Sequence, residues 1–323
     1  YVFVGIRQAG KSYLLYQRIQ QLLREEHNIN EIVYINFDDE RLRQMTADDL
    51  DLILQAYHSL FDLRPLLFFD EIQNIEGWEH FARRLANQKY NIYITGSNAK
   101  MLSREIATTL GGRFWNKDVY PYSFAEYLNA RDIILSKNWM YGKQAAEVSK
   151  AFNDYFLYGG FPELTDVIAK RVWLNDIYSK IFFSDLIVRN KVRNEEALGL
   201  LVRRLAENVK QPVSYTRLAN LISSIGIKIS KATVIEFIRY LKESCLIFPI
   251  ENYAAKFAER NSNMKHYFID NGLLSIFLLD GNTSLLENIV AIHLYKRYGA
   301  QLYFYNQNIE VDFIIPEAKT AIQ

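Results

Sequence analysis

The sequence predicts an α/β fold: a parallel sheet covered by helices, then a mostly helical region, then a second α/β segment at the C-terminal end. Three observations carry this prediction. Short apolar runs alternate with amphipathic helical stretches through the first third of the chain. Those runs are apolar almost without interruption, as strands buried on both faces must be. Beyond residue 122 helical periods dominate, until short strands return near residue 246.

Tyr1–Val4 reads as a strand and Lys11–Glu25 as a helix, with Leu14, Leu15, Ile19, Leu22 and Leu23 on one face. Ile32–Phe37 is a strand, Leu50–Leu60 a helix, Leu66–Phe69 a fully apolar strand, Trp78–Gln88 a helix and Asn91–Thr95 a strand. Met101–Leu110 is a helix, and a strand near Lys117–Tyr120 closes a first domain over residues 1–122. Ser123–Leu128, Ala145–Leu157 and Val172–Val188 are helical by period. They frame the turn Tyr158-Gly159-Gly160-Phe161-Pro162, whose glycines and proline break helices, and predict a helical domain over 123–193. Glu195–Val209, Ser214–Ser223 and Ser230–Ser244 follow as helices, with Ser214 and Ser230 as N-caps and Gly226 in a turn; Leu246–Ile250 is a strand. That order suggests a winged helix-turn-helix over 194–255. The last segment, 256–323, holds strands His266–Ile269, Leu302–Tyr305 and Val311–Ile315, a helix Ser284–Tyr298, and a further strand from Thr320 onward. The chain starts at Tyr1 inside a strand pattern and stops at Gln323 inside another, so residues are expected before the first and the last domain is read as incomplete.

At ~100–200 residues per domain, 323 residues predict two or three domains. The net charge of +1 supplies no global field toward nucleic acid or membrane, so any such binding must come from a local patch. The single cysteine, Cys245, lies in an apolar run and is read as a buried, inert thiol. One cysteine excludes a disulfide framework and fits a reducing cytoplasm. No run approaches the ~18 apolar residues of a membrane span, and no membrane partner is expected. His27, His58, His80, His266 and His293 are scattered without metal-ligand spacing, so no zinc site is expected.

The strongest chemical signal is Gly5-Ile6-Arg7-Gln8-Ala9-Gly10-Lys11-Ser12, which matches G-x-x-x-x-G-K-[ST] between a strand and a helix. Glycines let such a loop curl so that backbone N–H groups point at an anion, and the helix N-terminus adds partial positive charge. Lys11 then reaches the β- and γ-phosphates, the Ser12 hydroxyl ligates Mg²⁺, and Tyr13 follows in the first helical turn. ATP and Mg²⁺ are the implied ligands. The second signal, Leu66-Leu67-Phe68-Phe69-Asp70-Glu71, delivers two carboxylates from the C-terminal end of a buried strand, where ligands bind in open α/β sheets. Asp70 is suited to hold Mg²⁺ through water, and Glu71 to orient or deprotonate the attacking water. The presence of both acids argues for hydrolysis. The third, Ile92-Tyr93-Ile94-Thr95-Gly96-Ser97-Asn98, ends a strand in small polar residues, of which Ser97 or Asn98 senses the γ-phosphate or positions water. Arg113, after Gly111-Gly112, is either a finger acting in trans on a neighbour's nucleotide or a structural surface residue. Arg7 has the same ambiguity within the loop.

These motifs, with Asn36-Phe37-Asp38-Asp39, Phe69-Asp70-Glu71-Ile72-Gln73, Gly112-Arg113-Phe114 and Pro121-Tyr122-Ser123-Phe124-Ala125-Glu126-Tyr127-Leu128, stand in one order. Together they resemble prokaryotic ATPases of the AAA+ superfamily, of the archaeal and STAND-like branch, that carry a C-terminal domain of unknown function. Tyr158-Gly159-Gly160-Phe161-Pro162-Glu163 looks like the lid signature of that group. The resemblance implies a P-loop NTPase core with a helical lid. It carries Gly5, Gly10, Lys11 and Ser12 over as Walker A, Asp70 and Glu71 as Walker B, Ser97 or Asn98 as sensor 1, and Arg113 as an arginine finger, hence a possible homo-oligomer. A sensor-2 arginine is not evident in the helical region.

The tail resembles a restriction-endonuclease-like fold, whose sites need clustered carboxylates and a lysine around a divalent ion at a bent strand. Glu287, on a helix, and Asp312, in a strand, are the weak candidates here, and Gln323 stands where an acid is needed. An inactive, structural form of that fold is the reading. In the winged-helix region, Lys228, Lys231, Arg239 and Lys242 offer a thin basic face for DNA, interrupted by Glu236 and Glu243; a protein-packing module is the competing reading. The run Arg189-Asn190-Lys191-Val192-Arg193 reads as a solvated helix end. The expectation for the whole is an ATPase whose nucleotide state rearranges its C-terminal domains to act on a protein partner. The alternatives are a DNA-binding ATPase and an ATP-gated nuclease.

Overall fold

A computed structural model of the chain describes residues 1–102, 109–111, 114–256, 260 and 262–323. They divide into two units, Tyr1–Val119 and Tyr120–Gln323.

In the first unit the strands are β1 (Val2–Val4), β2 (Ile32–Asn36), β3 (Leu66–Asp70), β4 (Ile92–Gly96) and β5 (Asn116–Asp118); helices α1 (Lys11–Arg24), α2 (Asp51–Leu60) and α3 (Trp78–Asn87) alternate with them. The sheet is parallel throughout, in the order β2-β3-β4-β1-β5. Its centre is dry because the strands are apolar on both faces: Leu67, Phe68 and Phe69 are fully buried. Leu15 and Leu22 of α1 pack on Phe68 and Tyr93, whose rings stack at 4.7 Å. Burial of this kind is the main favourable term holding such a layer together. The order matters for function because β4 lies between β1 and β3. The C-terminal ends of those three strands therefore sit side by side. Of the predicted helix Met101–Leu110, Ala99–Leu102 form a 3₁₀ turn and most of the rest lies outside the described residues.

The second unit begins with α4 (Phe124–Ala130), α5 (Lys143–Tyr158) and α6 (Lys170–Lys180). A capping box starts α4: Ser123 Oγ accepts from the Glu126 N–H, and the Glu126 carboxylate accepts from the Ser123 N–H at 2.7 Å. The helix predicted over Val172–Val188 is not uniform, since Ile181–Val188 is π-helical. There the buried Asp185 pairs with Arg189 at 2.9 Å, so the basic run after it is not wholly solvated. Next come α7 (Glu195–Glu207), β6 (Val213–Ser214), α8 (Tyr215–Ser223), α9 (Lys231–Glu243), β7 (Ile247–Asn252) and β8 (Asn263–Phe268). Ser214 and Ser230 are the N-caps expected, accepting from the Arg217 and Thr233 N–H groups. Cys245 departs from expectation. It is only half-buried, and it takes the left-handed φ of 57° that ends α9, with the Leu246 N–H donating to the Leu241 carbonyl. The chain closes with α10 (Asn271–Ser275), α11 (Asn282–Tyr298), β9 (Tyr303–Asn306), β10 (Glu310–Ile315) and β11 (Thr320–Ile322). All the strands of this unit join one sheet, in the order β11-β10-β9-β7-β8-β6. β7 pairs antiparallel with β8 over Ile247–Ile250 and parallel with β9 at Glu251 and Asn252, so its two ends join different neighbours.

Candidate functional site

The loop between β1 and α1 is built by two glycines used for different reasons. Gly10 has φ 96°, a left-handed conformation that side chains resist, and it turns the chain into α1. Gly5 is needed for space, because a Cβ there would stand 1.9 Å from the Val119 carbonyl oxygen beyond β5. Ile6 and Ala9 are buried beneath the loop, while Tyr13 is exposed on α1. Lys11 is 3 % exposed; its ammonium donates to the Ile6 carbonyl at 3.2 Å and lies 3.5 Å from Glu71 Oε1. An ammonium has three donors, so these two neighbours leave it capacity for a further acceptor.

Asp70 ends β3 and is clamped from both neighbouring strands. Tyr34 of β2 donates to its Oδ2 at 2.9 Å, and the Thr95 hydroxyl of β4 donates to its Oδ1. Burial, with Tyr16 and Asp70 adding to it, pushes the Tyr34 phenol well above its usual range, so it stays a donor. Thr95 also accepts from the Glu71 N–H at 3.0 Å. Glu71 itself has φ 54°, a strained conformation for a non-glycine residue of the kind that gathers at functional sites. Its Oε2 accepts from Gln73 Nε2 and from the Ser97 N–H at 3.3 Å; Gln73 Nε2 also reaches Ser97 Oγ at 3.3 Å. Burial works to raise the Glu71 carboxyl. The Lys11 ammonium, the hydrogen bonds from Gln73 and Ser97, and the charge of Arg7 outweigh it and hold the group below its ordinary range. Glu71 is therefore an ionised, oriented carboxylate at neutral pH.

The geometry thus brings together Lys11, Asp70, Glu71 and Ser97, with Arg7 acting on Glu71 through its charge. Asn98 follows Ser97, half-buried, its backbone carbonyl accepting from the Met101 N–H. Arg113 lies outside the described residues. Thr95, Gln73 and Tyr34 were missed as site residues by the sequence reading, although Thr95 and Gln73 fall inside the quoted motifs.

The tail candidates also converge. Lys265 of β8, fully buried, places its ammonium 2.9 Å from Asp312 Oδ1, 3.2 Å from Glu287 Oε1 and 3.6 Å from Glu310 Oε1. The Tyr267 hydroxyl donates to Glu287 at 2.7 Å. On α9, Lys231, Arg239 and Lys242 are exposed, but Arg239 lies 3.7 Å from Glu236 and stacks on Tyr240. No helix among the described residues is long and apolar enough to cross a membrane.

Comparison with known proteins agrees with this geometry. The family model of an AAA domain matches residues 1–128, and that of a domain of unknown function (DUF8612) matches residues 149–284. An uncharacterized protein of Methanocaldococcus jannaschii is 34% identical over 331 residues, covering 100% of this chain and 73% of that protein. One of Haemophilus influenzae is 31% identical, covering 98% of this chain and 79% of its own length. Among solved structures, a Walker-type ATPase of Pyrococcus abyssi aligns with TM-score 0.51 and 14% identity, over 85% of this chain and 90% of its own. At that identity the likeness is one of fold.

Proposed function

The chain belongs to the family that joins an AAA domain to a C-terminal domain of unknown function, and on that premise we propose that it is an ATPase whose hydrolysis of Mg-ATP rearranges its C-terminal domains. The observation that carries the reading is the meeting of Lys11, Asp70, Glu71 and Ser97 at the ends of β1, β3 and β4, with Glu71 held ionised. Backbone N–H groups of the loop from Gly5 to Lys11 cradle the phosphates. Lys11 turns from the Ile6 carbonyl and Glu71 toward the β- and γ-oxygens. Glu71, still held by Gln73 and Ser97, accepts the proton of the attacking water. Ser12 and Asp70 offer oxygen donors, and each Asp70 oxygen keeps a lone pair after its bond to Tyr34 or Thr95, which suits a hard cation bound partly through water. Mg²⁺ held there supplies neutralisation of phosphate charge. Arg113 of a neighbouring copy completes the site, which makes turnover depend on assembly.

The test is ATP turnover against protein concentration, for wild type, Lys11→Ala, Glu71→Gln and Arg113→Ala. Turnover per chain that rises with concentration, and that all three variants lose, supports a site shared between subunits. Wild type that binds ATP and barely turns it over at any concentration sinks the hydrolytic reading and leaves a nucleotide switch.

We read α7, β6, α8, α9 and β7 as a winged helix over residues 194–255, whose two strands pair with β8 of the following segment. The antiparallel pairing of β6 and β7 with β8 supports that reading. DNA is the second candidate partner, through Lys231, Arg239 and Lys242. The Arg239–Glu236 pair weakens that face, which favours a protein partner. Salt-dependent DNA affinity that falls on Lys231→Ala with Arg239→Ala would reverse the preference. The third reading, an ATP-gated nuclease, rests on Glu287 and Asp312.

A further inference from the structure

We propose that the ammonium of Lys265 is the resident cation of the C-terminal carboxylate cluster: it stands where a nuclease-like centre would hold a divalent metal, and it makes that centre a rivet of the sheet.

The seat is full. Lys265 is fully buried, and a buried ammonium is tolerated only when paired and hydrogen-bonded. Its ammonium donates to Asp312 at 2.9 Å and to Glu287 at 3.2 Å, and the Glu310 carboxylate completes the ring of charge at 3.6 Å. The first two are hydrogen-bond distances and the third an ion-pair distance, all set by a nitrogen; a Mg²⁺ ion draws its oxygens to ~2.0–2.1 Å and asks for six of them. The remaining surroundings are no better suited to a metal. The Phe304 ring lies 5.7 Å from the ammonium, and the Tyr267 hydroxyl already occupies Glu287. Among the described residues, no three His, Cys, Asp or Glu side chains are spaced to hold a metal ion.

The cluster also has a mechanical role. Lys265 belongs to β8 and Asp312 to β10, and β7 and β9 lie between them in the sheet order. The register of β10 on β9 shifts between Val311 and Ile314, the stretch that contains Asp312. One ammonium thereby ties β8, β10 and helix α11 together across a curled sheet. Three carboxylates around one ammonium leave surplus negative charge, which water reaches on the side of Glu310, 40 % exposed. Taking away the ammonium leaves three converging carboxylates with no counter-charge. In such a variant the carboxylates are free to close on a divalent ion that their spacing around the ammonium does not admit.

The experiment uses the full chain without nucleotide, so that the first unit does not hold metal with ATP. Thermal midpoints are read with millimolar Mn²⁺ and with excess chelator for wild type, Lys265→Met, and Lys265→Met combined with Asp312→Asn. The wild-type midpoint is expected not to move. Lys265→Met is expected to melt lower and to recover on adding Mn²⁺, and the double variant to lose that recovery. A folded Lys265→Met that ignores Mn²⁺ overturns the proposal. Should Lys265→Met fail to fold, bound Mn²⁺ counted by electron paramagnetic resonance in wild type and Asp312→Asn still decides. No bound ion in wild type upholds the proposal, whereas an ion that Asp312→Asn removes overturns it, as does metal-dependent DNA cleavage with the same loss.

Discussion

Lys11 and Lys265 are both buried and both face carboxylates, yet their surroundings differ. Lys11 has a backbone carbonyl at 3.2 Å and one carboxylate at 3.5 Å; Lys265 has three carboxylates within 3.6 Å. The first ammonium has one hydrogen bond and one carboxylate beside it, which leaves it donor capacity for the polyanion proposed above. The second is hydrogen-bonded to two carboxylates and ringed by a third. Burial of a charge therefore does not separate function from structure. What differs between the two is the carboxylate charge gathered around each, one group at Lys11 and three at Lys265.

Four experiments break or sharpen this contrast, in falling order of effect. Glu71→Gln keeps the shape around Lys11 and removes the base, so ATP turnover should fall by ~10²–10⁴-fold with nucleotide affinity retained; loss of affinity in a binding titration would mean that Glu71 organises the loop instead. Lys265→Met should cost about 3–5 kcal/mol of stability to denaturant and leave ATP affinity untouched. Lys11→Met should do the reverse, with a stability change under about 1 kcal/mol and ATP binding lost. Equal destabilisation by the two would erase the distinction.

The third experiment concerns pH. Glu71 is held low, so its contribution to stability is present above its unfolded pKa and fades as pH falls through the folded value. Asp270 is the opposite case. Fully buried between Gly160 and α10, it accepts from the Gly160, Gly272 and Leu273 N–H groups. Burial nonetheless pushes it from 3.8 up to about 6. Its protonation favours the fold, so that stability is full below about 3.8 and lost as pH rises through about 6. By pH 7 the ionised group costs about 3 kcal/mol relative to an unshifted one. Denaturation followed in the second unit should show a falling midpoint from pH 4 to pH 7, and Asp270→Asn should flatten most of that slope. The smallest effect belongs to Ser123→Ala, which removes a cap and should lower stability by about 1 kcal/mol in a melting experiment, with turnover unchanged.

What could be read from the sequence was what is local in it. The loop from Gly5 to Ser12 and the pair Asp70-Glu71 are contiguous patterns tied to one strand end each, and both lie in the structure where the pattern puts them. Thr95 and Gln73 lay inside the quoted motifs. A threonine ending a strand and a glutamine after an acid are common, however, and only the β2-β3-β4 order reveals that Thr95 bridges Asp70 and Glu71. Lys265 was illegible because its partners Glu287 and Asp312 lie 22 and 47 residues away. β6 has two residues, too few to show a period of two. The π turn at Ile181–Val188 keeps an apolar pattern that a period of 3.6 also fits. Cys245 reads as buried because its neighbours are apolar, although it is the half-buried left-handed residue that stops the helix.

Ile247–Ile250 pair with β8, and Glu251 and Asn252 with β9, so β7 is the link that joins the two strands, and neither can leave without breaking hydrogen bonds to it. In hydrogen exchange, β7 and its two flanking strands should open as a single cooperative block and exchange last in their unit. A chimera that splits the chain between β7 and β9 exposes two raw sheet edges, and such edges aggregate. Any exchange of parts between members of this family should therefore cut before α7 and carry everything from there to β11 together.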